Sequence, residues 1–182
     1  MGSADPCTAP YSCDWLCGRV TLPCYCGPAT GVRLMLSSPC PDQIPDSLWQ
    51  AYADTLFVYR DGEAIGVLRV GQKPDALTET LMQQAAVSSA VFITAYNAQH
   101  GSDISPADNQ ARQQRLRDAL QSQGLDWRAG AGIGRDTAYD PEASLLVLGV
   151  TERDAIQLGR DYGQNAVVWI ESNEVVRLLV SR

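Results

Sequence analysis

Residues 91–97 read Val-Phe-Ile-Thr-Ala-Tyr-Asn. A nearly continuous run of apolar and β-branched residues predicts a central strand that is buried on both faces of a sheet. Because Asn97 ends the run, polar groups begin at the carboxyl end of the strand. The sequence therefore predicts that a polar loop leaves the sheet near its centre.

Capping and turn residues divide the rest of the chain into helices and strands. After the strand, Ser105 fits the N-cap of a helix, Pro106 its first position and Asp108 the acidic third position. We expect this helix to run to Gln123, because Gly124 is a natural C-terminal stop. The same signals predict a helix capped by Asp46, a hairpin of Leu56–Arg60 and Ala64–Val70 around Asp61-Gly62, a helix after Pro74, a strand at Leu145–Val150, a helix that starts at Thr151 and stops at Gly163, and a hairpin of Ala166–Ile170 and Val175–Val180.

From Val91 onward the order is strand, helix, extended segment, strand, helix, strand, strand. This order is similar to the split βαβ pattern of ferredoxin-like sheets, in which the helices cover one face. We therefore expect an α+β fold. Its core is a ferredoxin-like split βαβ sheet with helices on one face, preceded by a helix and a β-hairpin.

Composition and charge exclude several classes of function. The chain has 182 residues, of which 45% are hydrophobic and 19% are charged, as in a single globular domain. Its net charge of −7 argues against nucleic acid or an anionic membrane as a partner. No apolar stretch approaches the roughly 18 to 20 residues that span a bilayer. We expect a cytoplasmic protein that needs no cofactor and binds neither nucleic acid nor membranes.

All six cysteines lie in the first forty residues, which marks a boundary in composition. Their spacing does not match a zinc knuckle, and no histidine accompanies them. We find no basic segment followed by a roughly 7 to 15 residue apolar stretch, the pattern of a signal peptide, before them in this sequence, so we do not expect a disulfide framework. We expect residues 1–40 to be a Cys/Gly/Pro-rich tail, disordered or outside the native domain, and residues 41–182 to form a single α+β domain. The cysteines are Cys7, Cys13, Cys17, Cys24, Cys26 and Cys40.

A first candidate site lies at the carboxyl end of the central strand. There Thr94 and Asn97 are expected to meet Asn109 and Arg112 in the first two turns of the next helix. Amide donors and a helix N-terminus together can hold a carboxylate or a phosphate. The alternative is that Asn97 only closes an Asx-turn and that Arg112 is a solvated surface side chain.

Two further polar clusters follow along the chain. The segment 130–136 has glycines at alternate positions, but a dinucleotide-binding loop must follow a strand and open a helix, whereas this segment leads to Tyr139-Asp140-Pro141 and then to a strand. It predicts a flexible or bulged connection, in which Arg135 and Asp136 remain site candidates. Gln164 and Asn165 either satisfy carbonyls at a helix end or bind a ligand beside Asn97.

Classical catalytic sets are weak in this sequence. A Ser/His/Asp triad would need His100, the only histidine, yet no nucleophile-elbow motif is present. Metal ligation and cysteine catalysis are not expected in residues 41–182, which hold no cysteine. Glu142 beside Ser144 could act as an acid or base if it is buried, whereas Asp140, Glu142 and Asp136 are otherwise loop acids that face water.

Several short segments occur in a specific order: Ala51-Tyr52 with Thr55, Leu68 to Gln72, Phe92 to Asn97, Asn109 with Arg112, Gly134-Arg135-Asp136, Ser144 to Gly149 and Gly163 to Trp169. As a set they resemble the bacterial domain-of-unknown-function family DUF3293 over about residues 45–182. The family has no established activity, so the resemblance implies a domain extent and a compact bacterial protein but no reaction. It also leaves residues 1–40 outside the domain.

The leading hypothesis is that a polar surface binds a small polar or anionic molecule, or a protein partner. Whether the protein is an enzyme stays open. One alternative is a metal-independent enzyme in which a loop carboxylate acts as general base and an arginine stabilises negative charge. The other is a pure interaction or regulatory module that pairs through the edge of the first hairpin or through a sheet face. The candidate ligand-binding residues are Thr94, Asn97, Asn109, Arg112, Arg135, Asp136, Glu142, Ser144, Gln164 and Asn165.

Overall fold

The computed structural model describes residues 44–97, 104–135 and 141–181, which form seven strands and four helices. The predicted tail of residues 1–40 lies outside the described residues, as do His100, Asp136 and Asp140. The α+β class is confirmed. The helices are α1 (Asp46–Asp54), α2 (Ala76–Gln84), α3 (Pro106–Ser122) and α4 (Glu152–Asp161), and the strands are β1 (Leu56–Asp61), β2 (Ala64–Leu68), β3 (Ser89–Ile93), β4 (Trp127–Ile133), β5 (Glu142–Leu148), β6 (Ala166–Glu171) and β7 (Arg177–Val180).

The seven strands form one sheet in the order β2-β1-β4-β5-β3-β6-β7, and every neighbouring pair is antiparallel. Residues 91–93 of the apolar run lie in β3, which begins at Ser89 and lies between β5 and β6, and Thr94 to Asn97 follow the strand. In that position Val91 pairs with Val147 on one side and with Trp169 on the other, and it is fully buried. The buried inner strand predicted from the run is confirmed.

Side chains alternate along the inner strands and build a core on each face of the sheet. Helices α3 and α4 cover one face, through residues such as Leu116, Leu120 and Ala155. Helix α2 covers the other face through Leu81 and Met82, and Tyr52 of α1 packs at its margin. The domain therefore has three layers, because the helices that precede β3 take the face that α3 and α4 leave open.

The capping residues act largely as the sequence predicts. The side chains of Ser105 and Thr151 accept hydrogen bonds from the N–H groups of Asp108 and Asp154 and so begin α3 and α4. The expected cap at Asp46 is wrong: Pro45 is the N-cap of α1, it makes no side-chain cap bond, and Asp46 is the first helical residue. The Asp46 carboxylate therefore does not cap α1, and its favourable interaction with the first turn is that of a negative charge with the helix dipole.

A buried hydrogen-bond chain fastens α2 to the first hairpin. Asp75 Oδ1 accepts from the backbone N–H and the hydroxyl of Thr78, and the Tyr59 hydroxyl lies 2.8 Å from Thr78 Oγ1. The other oxygen, Asp75 Oδ2, accepts from the backbone N–H of Val67 in β2 at 2.6 Å. Burial raises the pKa of Tyr59 to about 12, because the phenolate would lose its hydration. One carboxylate thus caps a helix and contacts a strand.

The prediction that residues 130–136 form a flexible or bulged connection is wrong for Gly130 to Ile133. These residues belong to β4, which pairs with β1 on one side and with β5 on the other. Two long neighbouring strands supply the backbone partners, so a segment with few side chains can still be a strand.

Candidate functional site

A cavity of about 240 Å³ opens between α1 and the face of the sheet that α2 also covers. It lies at the end of the sheet where β3 finishes and where β5 and β6 begin. Its lining comprises Ala51, Tyr52 and Thr55 from α1 and its C-cap, Phe57, Phe92, Ile93, Gly132, Ala166, Val168 and Leu178 from the sheet, and Thr94, Tyr96, Asn97, Gly134, Glu142, Ser144, Gln164 and Asn165 around the mouth.

The floor of the cavity is apolar and aromatic. Phe57 and Phe92 meet there edge to face, with their ring centroids 5.4 Å apart. Gly132 leaves the wall between them and α1 open, since a Cβ at this position would lie 3.8 Å from Thr55 and 3.9 Å from Phe57. The space beside Gly132 therefore belongs to the cavity and can hold additional atoms.

The polar groups at the mouth hold one another in place. Thr94 donates to the carbonyl oxygen of Ala143 at 2.8 Å and accepts from the N–H of Tyr96 at 3.0 Å. Gln164 Nε2 donates to the carbonyl oxygen of Tyr96 at 2.8 Å and lies 3.5 Å from that of Tyr162. Gln164 therefore joins the end of α4 to the residues that follow β3, and its role in binding a ligand stays a prediction.

Asn97 connects α3 with the cavity. Its backbone is left-handed, with φ of 47°, and its N–H donates to Asn109 Oδ1 at 3.0 Å. Asn109 Nδ2 donates in turn to Asn97 Oδ1 at 3.0 Å, so two hydrogen bonds join the side chain of Asn109 to the backbone and the side chain of Asn97. The remaining amide group, Asn97 Nδ2, donates to Glu142 Oε1 at 2.6 Å. The buried Asn109 thus fixes Asn97, and Asn97 fixes the carboxylate at the cavity mouth.

Arg112 is neither a ligand group at the cavity nor a solvated surface side chain. Its Nε donates to the carbonyl oxygen of Ala95 at 2.9 Å, and its Nη2 donates to that of Tyr162 at 2.7 Å. The guanidinium therefore joins the end of β3 to the end of α4 through two charge-assisted hydrogen bonds.

Arg135 lies away from the cavity lining and is largely solvated. Its side chain is 83% exposed and its nearest carboxylate is that of Asp54, at 3.6 Å. Asp136, the neighbouring candidate, lies outside the described residues. Neither arginine among the predicted site residues therefore lines the cavity.

Six of the ten predicted residues line the cavity, and their role in binding stays a prediction: Thr94, Asn97, Glu142, Ser144, Gln164 and Asn165. Sequence reasoning missed the floor of the cavity, including Tyr52, Phe57, Phe92, Gly132 and Leu178. In the sequence, these positions cannot be told from ordinary core positions, because an apolar or aromatic residue in a strand or helix is also what a core position shows. In the described part of the chain, no group of three or more His, Cys, Asp or Glu side chains is arranged to hold a metal ion.

The helices of the described ranges include none with the length and apolar character that a membrane crossing requires. A family model described as "Protein of unknown function (DUF3293)" matches residues 93–167, which run from the end of β3 into β6. All ten predicted site residues lie within this match, whereas Tyr52, Phe57 and Leu178 lie outside it. Searches of curated proteins and of solved structures gave no match.

Proposed function

We propose that this chain, in which residues 93–167 match the DUF3293 family model, binds a small polar molecule in the cavity between α1 and the sheet. One observation carries the proposal: an open cavity combines an aromatic floor with a mouth of hydroxyl, amide and carboxylate groups. Such a lining is typical of small-molecule sites, in which apolar walls give affinity and a few polar groups fix orientation.

The order at the cavity mouth supports this proposal. Hydrogen bonds already fix Thr94, Asn97 and Gln164 before any ligand arrives. A ligand that meets ordered groups loses less conformational entropy on binding than one that must order them. The volume of about 240 Å³ is slightly below the roughly 300 to 1,000 Å³ of sites for drug-sized molecules, which favours a compact ligand.

The anionic ligand considered from sequence has little support. That hypothesis relied on amide donors, the N-terminus of α3 and Arg112. The amides of Asn97 and Asn109 are instead engaged with each other and with Glu142, and neither Arg112 nor Arg135 lines the cavity. The enzyme alternative loses both arginines, because a general base at Glu142 would lack the arginine that was to stabilise negative charge. We therefore favour binding over catalysis.

We also propose that β3, α3, β4, β5, α4 and β6 form a ferredoxin-like split βαβ unit. The strand order β4-β5-β3-β6 supports it, since each helix connects two strands that lie on either side of a third. Helices α3 and α4 pack on the same face of that sheet. The cavity lies on the opposite face, which α1 and α2 cover.

A thermal-shift screen tests the binding proposal. A ligand at 100 times its dissociation constant adds about 2.7 kcal/mol to the unfolding free energy, so hits from amines, amino acids, nucleosides and sugars are detectable. We expect Gly132→Leu, which fills the cavity, to abolish the hit. Ala64→Leu adds a similar bulk, three carbon atoms rather than four, at an exposed position of β2 and should leave the hit unchanged. A hit that survives Gly132→Leu would place binding elsewhere, and no hit at all would favour the interaction module.

A further inference from the structure

We infer that the ligand of this cavity carries a positively charged nitrogen, which binds the carboxylate of Glu142. This inference rests on the proposed function and adds the chemical class of the ligand. Among the described residues that line the cavity, Glu142 is the only one with a side chain that is charged at neutral pH. The nearest arginines among the predicted site residues are engaged elsewhere, as their contacts show.

Among the described residues, only Asn97 donates a hydrogen bond to the carboxylate of Glu142. Oε1 accepts the amide hydrogen of Asn97, while no described residue donates a hydrogen bond to Oε2. The ion pairs of the described residues do not include Glu142 either. A half-buried carboxylate with an open acceptor is suited to a ligand N–H that brings its own positive charge.

Asn109 of α3 positions the carboxylate of Glu142 indirectly, through Asn97. Asn109 is 6% exposed and pairs twice with Asn97, whose Nδ2 then holds Glu142 Oε1. The side chain of Glu142 is therefore oriented before the ligand binds, which reduces the entropy lost on binding. Asn97 and Asn109 are positioning residues in this arrangement.

The rest of the lining fits an organic cation better than a bare metal ion. Tyr52, Phe57, Phe92 and Tyr96 bring aromatic rings to the cavity, and rings of this kind attract cations and also pack against apolar groups. A protonated amine on a compact apolar body would satisfy the carboxylate and the floor together. An anion of the same shape would meet a like charge at the mouth, with no described cation to compensate.

Three probes of nearly equal shape separate charge from fit: benzylamine, benzyl alcohol and benzoate. Titration of the full chain, followed by two-dimensional NMR, gives each dissociation constant. We expect benzylamine to bind at least about tenfold more tightly than benzyl alcohol, as for a charge-assisted hydrogen bond, and benzoate to bind most weakly. Equal or stronger binding of benzyl alcohol or benzoate would overturn the inference while leaving the cavity as a binding site. No binding by any of the three would count against the proposed function itself.

Variants of two glutamates then test the named carboxylate. Glu142→Gln should reduce benzylamine affinity about tenfold and leave benzyl alcohol unchanged. Glu63→Gln changes the net charge equally at an exposed turn and should alter neither affinity. Far-UV circular dichroism establishes that each variant is folded, and Glu142→Asp, which keeps the charge, should retain part of the preference for the amine. An unchanged preference in Glu142→Gln would contradict the inference.

Asn109→Ala tests the positioning chain. If Asn109 acts through Asn97 on Glu142, the preference for benzylamine over benzyl alcohol should shrink. If the role of Asn109 is purely structural, Asn109→Ala should reduce the affinity for both probes equally or for neither. That result would remove Asn109 from the site.

Discussion

Two glycines of β4, two residues apart and on the same face of the sheet, should respond oppositely to alanine. Gly130 sits against its neighbours: an added Cβ would overlap the carbonyl oxygen of Val58 and would lie 2.8 Å from Phe92 Cζ. Gly132 borders the cavity, and there the same Cβ would meet only ordinary contacts at 3.8 Å and beyond. The two variants therefore compare the effect of the same glycine-to-alanine change where the neighbouring space is filled and where it is open.

The magnitudes follow from the two environments. At Gly130 the clash involves backbone of the paired strand β1, which cannot move aside alone, so Gly130→Ala should cost about 1 to 3 kcal/mol or more. At Gly132 the backbone φ is not positive, and alanine restricts the unfolded chain without strain. Gly132→Ala should therefore be neutral or should stabilise by about 0.4 to 1 kcal/mol.

Urea unfolding followed by tryptophan fluorescence measures the difference, with the buried Trp169 as one of the reporters. With an m-value of about 2 kcal/mol/M, a loss of 2 kcal/mol lowers the midpoint by about 1 M. The reasoning is refuted in either of two cases. If Gly130→Ala unfolds at the parent midpoint, the space at Gly130 is not filled; if both variants lose the same stability, the space beside Gly132 is not open.

Two further predictions concern groups away from the cavity. The Tyr59 phenol has a pKa of about 12 in the folded protein and near 10 when unfolded. Its contribution to the free energy of unfolding is therefore complete below pH 10, and it falls by roughly 2 to 3 kcal/mol as the pH rises to 12. Urea unfolding at pH 9 and pH 11.5 should show this loss in the parent and less of it in Tyr59→Phe; an equal loss in both would assign it to other groups. Arg112→Ala removes hydrogen bonds to Ala95 and Tyr162 and should destabilise by about 1 to 3 kcal/mol while leaving benzyl alcohol affinity unchanged, and a stable variant with weaker binding would return Arg112 to the ligand site.

Local signals were sufficient where a single residue type determines the backbone. Ser105 and Thr151 begin their helices as expected, and Gly124 and Gly163 have the positive φ that ends a helix. The apolar run at 91–97 likewise identified the buried strand. In each case the physical cause lies within a few residues of the chain.

Long-range partners explain what the sequence did not show. Residues 127–133 contain two glycines and two alanines, so they give no strand signal until β1 and β5 are known to flank them. Arg112 follows a strand end as a ligand group would, yet two backbone carbonyls that lie 17 and 50 residues away take its donors. The aromatic floor could not be predicted from the sequence for the same reason, because residues of α1, β1, β3 and β7 come together at the cavity only in the folded protein.

The contact of Asp75 with Val67 also bears on how this protein behaves when crowded with copies of itself. Strand β2 ends the sheet, and its outward N–H groups would serve as a template for a strand from another molecule. The carboxylate fills the position at Val67 that an incoming carbonyl oxygen would need, and it brings a negative charge. Growth of the sheet from molecule to molecule is thereby opposed along this border, although Ile65 is 57% exposed beside it.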